Sequence, residues 1–169
     1  EVVPNQISVG GIQRVLQNLL NERVSIRDLP TILEGISEAC AFTRNVTQLT
    51  EHVRSRLSRQ ISEQNSTEDN FIPLVTLSAE WEQIFSDSIL DQGEDKQLSM
   101  APSQLQRFIG AVRTTLDELA DKEDPPVVLT SPSARPFVRS IIERFRPATS
   151  IMSQNELHPK AKIKTLGQI

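Results

Sequence analysis

The chain has 169 residues, enough for one domain or two small ones burying very roughly 70% of the unfolded surface. Its 37% hydrophobic and 24% charged residues describe a soluble globular protein, with no run near the ~18 apolar residues of a membrane helix and no signal peptide. A net charge of −4 and the absence of Tyr argue against nucleic-acid binding, since Trp81 and the six Phe are not interleaved with basic residues as a stacking platform requires.

That charge is unevenly spread. Residues 1–64 are neutral, residues 65–124 carry −9 and residues 125–169 carry +5. Such separation steers oppositely charged partners or pairs parts of one fold with each other. The lone Cys40 lies in an apolar helical pattern, excludes an internal disulfide and fits a buried inert thiol in a cytosolic protein. Glu1-Val2-Val3-Pro4 reads as the middle of a longer chain.

In chain order, Ser8 caps a helix whose apolar residues Ile12, Val15, Leu16, Leu19 and Leu20 form one stripe. Gly10-Gly11 in its first turn points to close backbone packing, because no phosphate-loop pattern follows. Two starts fit the second helix. Ser25 and Asp28 stand at capping-box spacing, or Asp28 is itself the cap with Pro30 in the first turn. Leu29, Ile32, Leu33 and Ile36 are the buried face in either case. Asn45 caps a third helix through Val46, Leu49, Val53, Leu57 and Ile61, with Arg54, Arg56 and Arg59 late in it. His52 has no second ligand at metal spacing and reads as a surface residue.

A polar run from Glu63 to Asn70 follows, the linker being residues 65–70. Phe71–Leu77 reads as a strand in which Pro73 argues for an edge position or the strand's first residues. Ser78 caps a helix facing Trp81, Ile84, Phe85 and Ile89 inward. Asp91–Lys96 lacks the oxygen spacing of a calcium loop and reads as a solvated loop. Pro102 opens a long helix with an acidic end over Asp117–Asp124.

Val127–Thr130 is a β-branched buried strand, Ser133–Pro147 a helix capped by Ser133, and Thr149–Met152 a second strand, together a parallel βαβ unit. That helix carries Arg135, Arg139, Arg144 and Arg146, the candidate partner-facing surface. The turn Ser131–Arg135 at the helix start could hold an anion, although it lacks glycines and a lysine. Lys160, Lys162 and Lys164 alternate with Ala161, Ile163 and Thr165 as a half-buried strand with a basic outer row, suited to guarding an edge or to binding. The expected fold is α plus α/β: a helical subdomain over 1–64, then an α/β subdomain over 71–169 with about four strands and three helices. No residue set resembles a catalytic, cofactor or metal site, and an enzyme is not expected.

Several ordered blocks carry a resemblance: Ile7–Leu20, Val24–Glu34, Glu51–Ile61, Val128–Phe137, Glu143–Pro147 and Ser153–Leu157. Together they resemble the C-terminal cytosolic region of the flagellar type III export-gate (FlhA) family, shared with the export gates of virulence secretion. The Ser153–Glu156 block and the Gly167-Gln-Ile169 end favour the flagellar branch. The resemblance implies a non-enzymatic scaffold and docking ring on the cytoplasmic side of a bacterial inner-membrane protein. Its implied partners are export chaperone–substrate complexes, the export ATPase and its stalk, and further copies of the gate in a nine-membered ring. This fragment alone is expected to be monomeric. The alternatives are a virulence gate and a small-anion or nucleotide-binding regulatory domain.

Overall fold

The computed structural model describes residues 7–93, 95–120 and 124–169. Helix α1 (Val9–Asn21) begins where the Ser8 side chain accepts from the Gly11 N–H. A Cβ on Gly11 would come within 2.5 Å of Ile7, so close packing accounts for that glycine. Asp28 is the cap of α2 (Leu29–Ala39), accepting from the Thr31 N–H, and Pro30 sits in the first turn where its missing donor costs nothing. The third amphipathic run, expected as one helix, is two: α3 (Val46–Arg56), capped by Asn45, and α4 (Ser58–Gln64). They meet at Leu57, whose φ of −98° and ψ of 20° interrupt the helix while Leu57 and Ile61 both stay buried.

Strand β1 (Phe71–Thr76) leads into α5 (Ala79–Ser88), the strands β2 (Ile89–Gln92) and β3 (Asp95–Leu98), and α6 (Pro102–Glu118). Strand β4 (Val127–Thr130), α7 (Arg135–Ile142), β5 (Ile151–Ser153), a 3-10 turn at Gln154–Glu156 and β6 (Lys162–Gln168) complete the chain. Four strands form one parallel sheet in the order β5-β4-β1-β6, while β2 and β3 pair separately as an antiparallel hairpin.

Three local expectations change. β1 lies inside the sheet, yet Pro73 precedes the pairing with β4, which starts at Leu74, so the missing N–H falls where β4 is not yet alongside. The run Asp91–Lys96 is the tip of the β2–β3 hairpin rather than an unstructured loop; Glu94 lies outside the described residues, as do residues 121–123 of the acidic run after α6. Helix α7 is shorter than Ser133–Pro147. Ala134 takes the cap position, and after Ile142 the Arg144 and Phe145 N–H groups turn to carbonyls three residues back, which closes the helix early.

The strands alternate. Ile72, Leu74, Val127, Leu129 and Met152 face the helices α1–α4, while Val75, Val128 and Ile151 face α5, α6 and α7. The helical half and one sheet face therefore share a single apolar core, completed by Val15, Leu19, Ile32, Ile36, Leu49 and Val53. At roughly 25 cal/mol per Å² of apolar surface, this shared burial is the main attraction between the two halves.

Candidate functional site

The densest polar feature lies where α1 and α3 meet the C-terminal ends of β4 and β5. Arg135, in the first turn of α7, is 1% exposed. Its guanidinium makes two bidentate pairs. Nε and Nη2 donate to Glu51 at 2.7 and 2.9 Å, and Nη1 and Nη2 donate to Glu22 at 2.8 and 2.6 Å. Nη1 also donates to the Ile151 carbonyl at 2.8 Å. Beside it Arg54 of α3, 3% exposed, grips Glu156 through Nε at 2.9 Å and Nη2 at 2.8 Å. Glu156 is placed by its own capping box, in which its carboxylate accepts from the Ser153 N–H. Arg139, one α7 turn on, lies 3.7 Å from Glu22 at the rim.

Three carboxylates thus meet three guanidiniums, and each buried charge has partners. Burial pushes the Glu22 carboxyl up, but the Arg135 hydrogen bond and the charges of Arg135, Arg54 and Arg139 outweigh it and hold it below the usual carboxylate range. For Glu51 burial wins: it faces Arg135 but also the Glu156 charge, and its carboxyl is raised. Burial opposes the Arg135 charge, yet Glu51 and Glu22 more than compensate and hold the proton well above the usual arginine value. The arrangement binds the protein to itself. It offers neither a nucleophile nor a free acid–base group.

The four arginines expected to face a partner therefore divide. Arg135 is internal, a correction that follows from the two carboxylates it must neutralise. Arg139 is largely turned in toward Glu22 and Glu143; Arg146 pairs with Asp117 of α6; Arg144 is exposed. Glu22, Glu51 and Glu156 went unrecognised in the sequence because their partners lie 113, 84 and 102 residues away. Only Glu156 carries a local signal, the S-x-x-E spacing from Ser153.

The anion position at the start of α7 is taken from within. Glu82 of α5 accepts from the Thr130 hydroxyl and the Ser131 N–H, both at 3.0 Å, which is where a ligand anion would sit. His52 pairs with Glu38 at 3.0 Å, Cys40 is buried, and among the described residues no cluster of His, Cys, Asp or Glu could hold a metal ion. No helix among them is long and apolar enough to cross a membrane.

Comparison with known proteins places this architecture. The chain is 53% identical over all 169 residues to the flagellar biosynthesis protein FlhA of Caulobacter vibrioides and 32% identical over all 169 to that of Bacillus subtilis. It spans 24% and 25% of those proteins, about a quarter of each. The Chlamydia pneumoniae CdsV protein superposes with a TM-score of 0.89 at 30% identity, over 99% of this chain and 48% of that one. The nonameric EPEC SctV-C superposes with a TM-score of 0.84 at 27% identity, over 98% of this chain and 49% of that one. The model of the FHIPEP family matches residues 1–162, and the chain belongs to that family.

Proposed function

We propose that this chain is the C-terminal part of the cytosolic region of a flagellar protein-export gate, a scaffold and docking module with no chemistry of its own. The observation that carries the reading is the 53% identity to a flagellar biosynthesis protein along every residue, against 30% to CdsV.

Two properties of the relatives support the assembly side. EPEC SctV-C is nonameric, and CdsV has been solved in complex with CdsO. By the same logic this chain contributes to a ring in the full-length protein and presents a face to a second protein. Export chaperone–substrate complexes and the export ATPase with its stalk are the partner classes. Its polar interior suits a scaffold, because the arginine cluster holds the helical half rigidly against the sheet and leaves the outer surfaces to bind.

Exchange of segments tests this. The matching quarter of the Caulobacter flagellar protein is replaced by this chain, and filament export and swimming are scored. Restored export is expected. A chimaera present in the membrane at normal level that exports nothing would overturn the flagellar assignment.

A further inference from the structure

Strand β6 is an end strand of the sheet, paired only with β1 among the described residues, so its outer row of N–H and C=O groups is open. Alongside its start runs a groove of about 430 Å³, walled by α4 on one side and by the segment His158–Lys162 on the other. Its floor is pinned. The Ser62 hydroxyl donates to the Glu156 carbonyl and accepts from the His158 N–H, both at 2.9 Å, which ties the approach to β6 onto α4.

The groove is basic. Arg59, Lys160 and Lys162 line it with His158, and its one acid, Glu63, pairs with Arg59 at 3.3 Å in an exposed contact. An outer row of lysines can serve merely to keep strands apart. Here that explanation is weakened twice. The Lys164 ammonium lies 5.4 Å from the Phe71 ring centre, folded back over the sheet rather than standing before the edge. Ile163, between the lysines, is 53% exposed, an apolar residue left on a strand edge.

We propose that this edge receives an extended acidic peptide segment of a partner protein, which pairs with β6 as an added strand and sets its carboxylates beside Lys160 and Lys162 and its apolar residues beside Ile163, which shares the α4 face of the sheet with Ile72. Main-chain hydrogen bonds supply the affinity and alternate side chains supply the selection. One row of the incoming strand meets the cations, and the next meets Ile163, so the recognised pattern alternates acidic and apolar residues. The proposal does not depend on the flagellar assignment.

The test uses a fluorescent peptide of about eight alternating Glu and Val residues, the length of an ordinary strand. Its companions are a Lys–Val peptide and Glu–Val peptides N-methylated at alternate amides in each register. The Glu–Val peptide is expected to bind and the Lys–Val peptide not. At least one N-methylated register is expected to lose binding, and the Ile163 and Thr165 amides to exchange more slowly in the complex. The K160E/K162E double variant is expected to bind about tenfold more weakly. Thermal unfolding shows whether that variant is folded, and the N-methylated peptides decide the matter if it is not. No binding of the Glu–Val peptide overturns the proposal. So does equal binding of both N-methylated registers, which would mean charge attraction without strand pairing. Sedimentation showing that the chain pairs with itself through this edge would overturn it too.

Discussion

The two faces of the sheet are covered on different physical principles. Toward α5, α6 and α7 the contact is hydrocarbon and aromatic: Trp81 and Phe85 meet Phe108 edge-to-face at 5.1 and 4.9 Å between ring centres. Toward α1–α4 an apolar centre of Ile72, Leu74, Val127, Leu129 and Met152 is bordered by the buried clasp of Arg54 and Arg135 with Glu22, Glu51 and Glu156. The first set of helices connects the strands themselves, so chain connectivity already aims them at the sheet. The second set precedes the sheet in the chain and connects none of its strands. Apolar burial attracts such a set without directing it, whereas bidentate arginine–carboxylate pairs have one geometry. On the helical face, attraction and orientation are supplied separately.

Paired substitutions, one in the clasp and one in the aromatic core, separate the two faces most sharply. Arg135→Ala leaves Glu22 and Glu51 buried without their shared cation, and urea unfolding is expected to show a loss of about 3–5 kcal/mol. Phe108→Ala, at a fully buried ring, is expected to cost about 3 kcal/mol through lost contacts and a cavity. The sizes are similar; the repair differs. Adding Glu51→Gln to Arg135→Ala is expected to recover part of the loss, since it removes one stranded charge, and to recover nothing beside Phe108→Ala. Equal behaviour of the two backgrounds would show that the clasp is only more core.

Acid titration gives a smaller effect that also separates the faces. Glu22 is held below its ordinary value, so its contribution is present above the unfolded-chain value and is lost as pH falls through the folded one. Glu51 is raised, so the folded protein takes up that proton first and gains stability as pH falls through its folded value. The two oppose each other. Glu51→Gln removes the compensating gain and is expected to lose more stability on acidification than the native chain, whereas Glu22→Gln flattens the profile. Phe108→Ala is expected to run parallel to the native curve. Parallel curves for all three would mean that the clasp does not titrate with folding.

Legibility followed sequence distance. The caps Ser8, Asn45 and Ser78 are local, and the structure places them as their spacing indicates; the apolar stripes hold except at Leu20 and Leu29, which end up exposed. The helix–strand alternation after Phe71 was readable for the same reason, although the β2–β3 pair was hidden in a charged, exposed stretch with no alternation of burial. The break at Leu57 was invisible because Val53, Leu57 and Ile61 keep helical spacing through it. The clasp was unreadable because charge in a sequence looks solvated until a partner is known. Arg135 stood among Arg139, Arg144 and Arg146 with nothing local to mark it as the buried one.

Helix α3 supplies both Glu51 and Arg54 to the clasp and is started by Asn45. The Asn45 side chain accepts from the Gln48 N–H at 3.0 Å and donates to Asp95 of β3 at 2.8 Å, so it also ties the hairpin to the helical half. Asn45→Ala is expected to cost about 1 kcal/mol by leaving a helix-start donor unmet. Asn45→Ser keeps a cap oxygen but loses the amide donor, and an exposed hydrogen bond of that kind adds only a few tenths. Along a helix rising 1.5 Å per residue, Glu51 lies about 9 Å from the cap. At that separation the losses from Asn45→Ala and Arg135→Ala should add to within about 0.5 kcal/mol. A larger coupling would mean that the clasp holds α3 against its own tendency to fray, and orientation and helix formation on this face would then be one property rather than two.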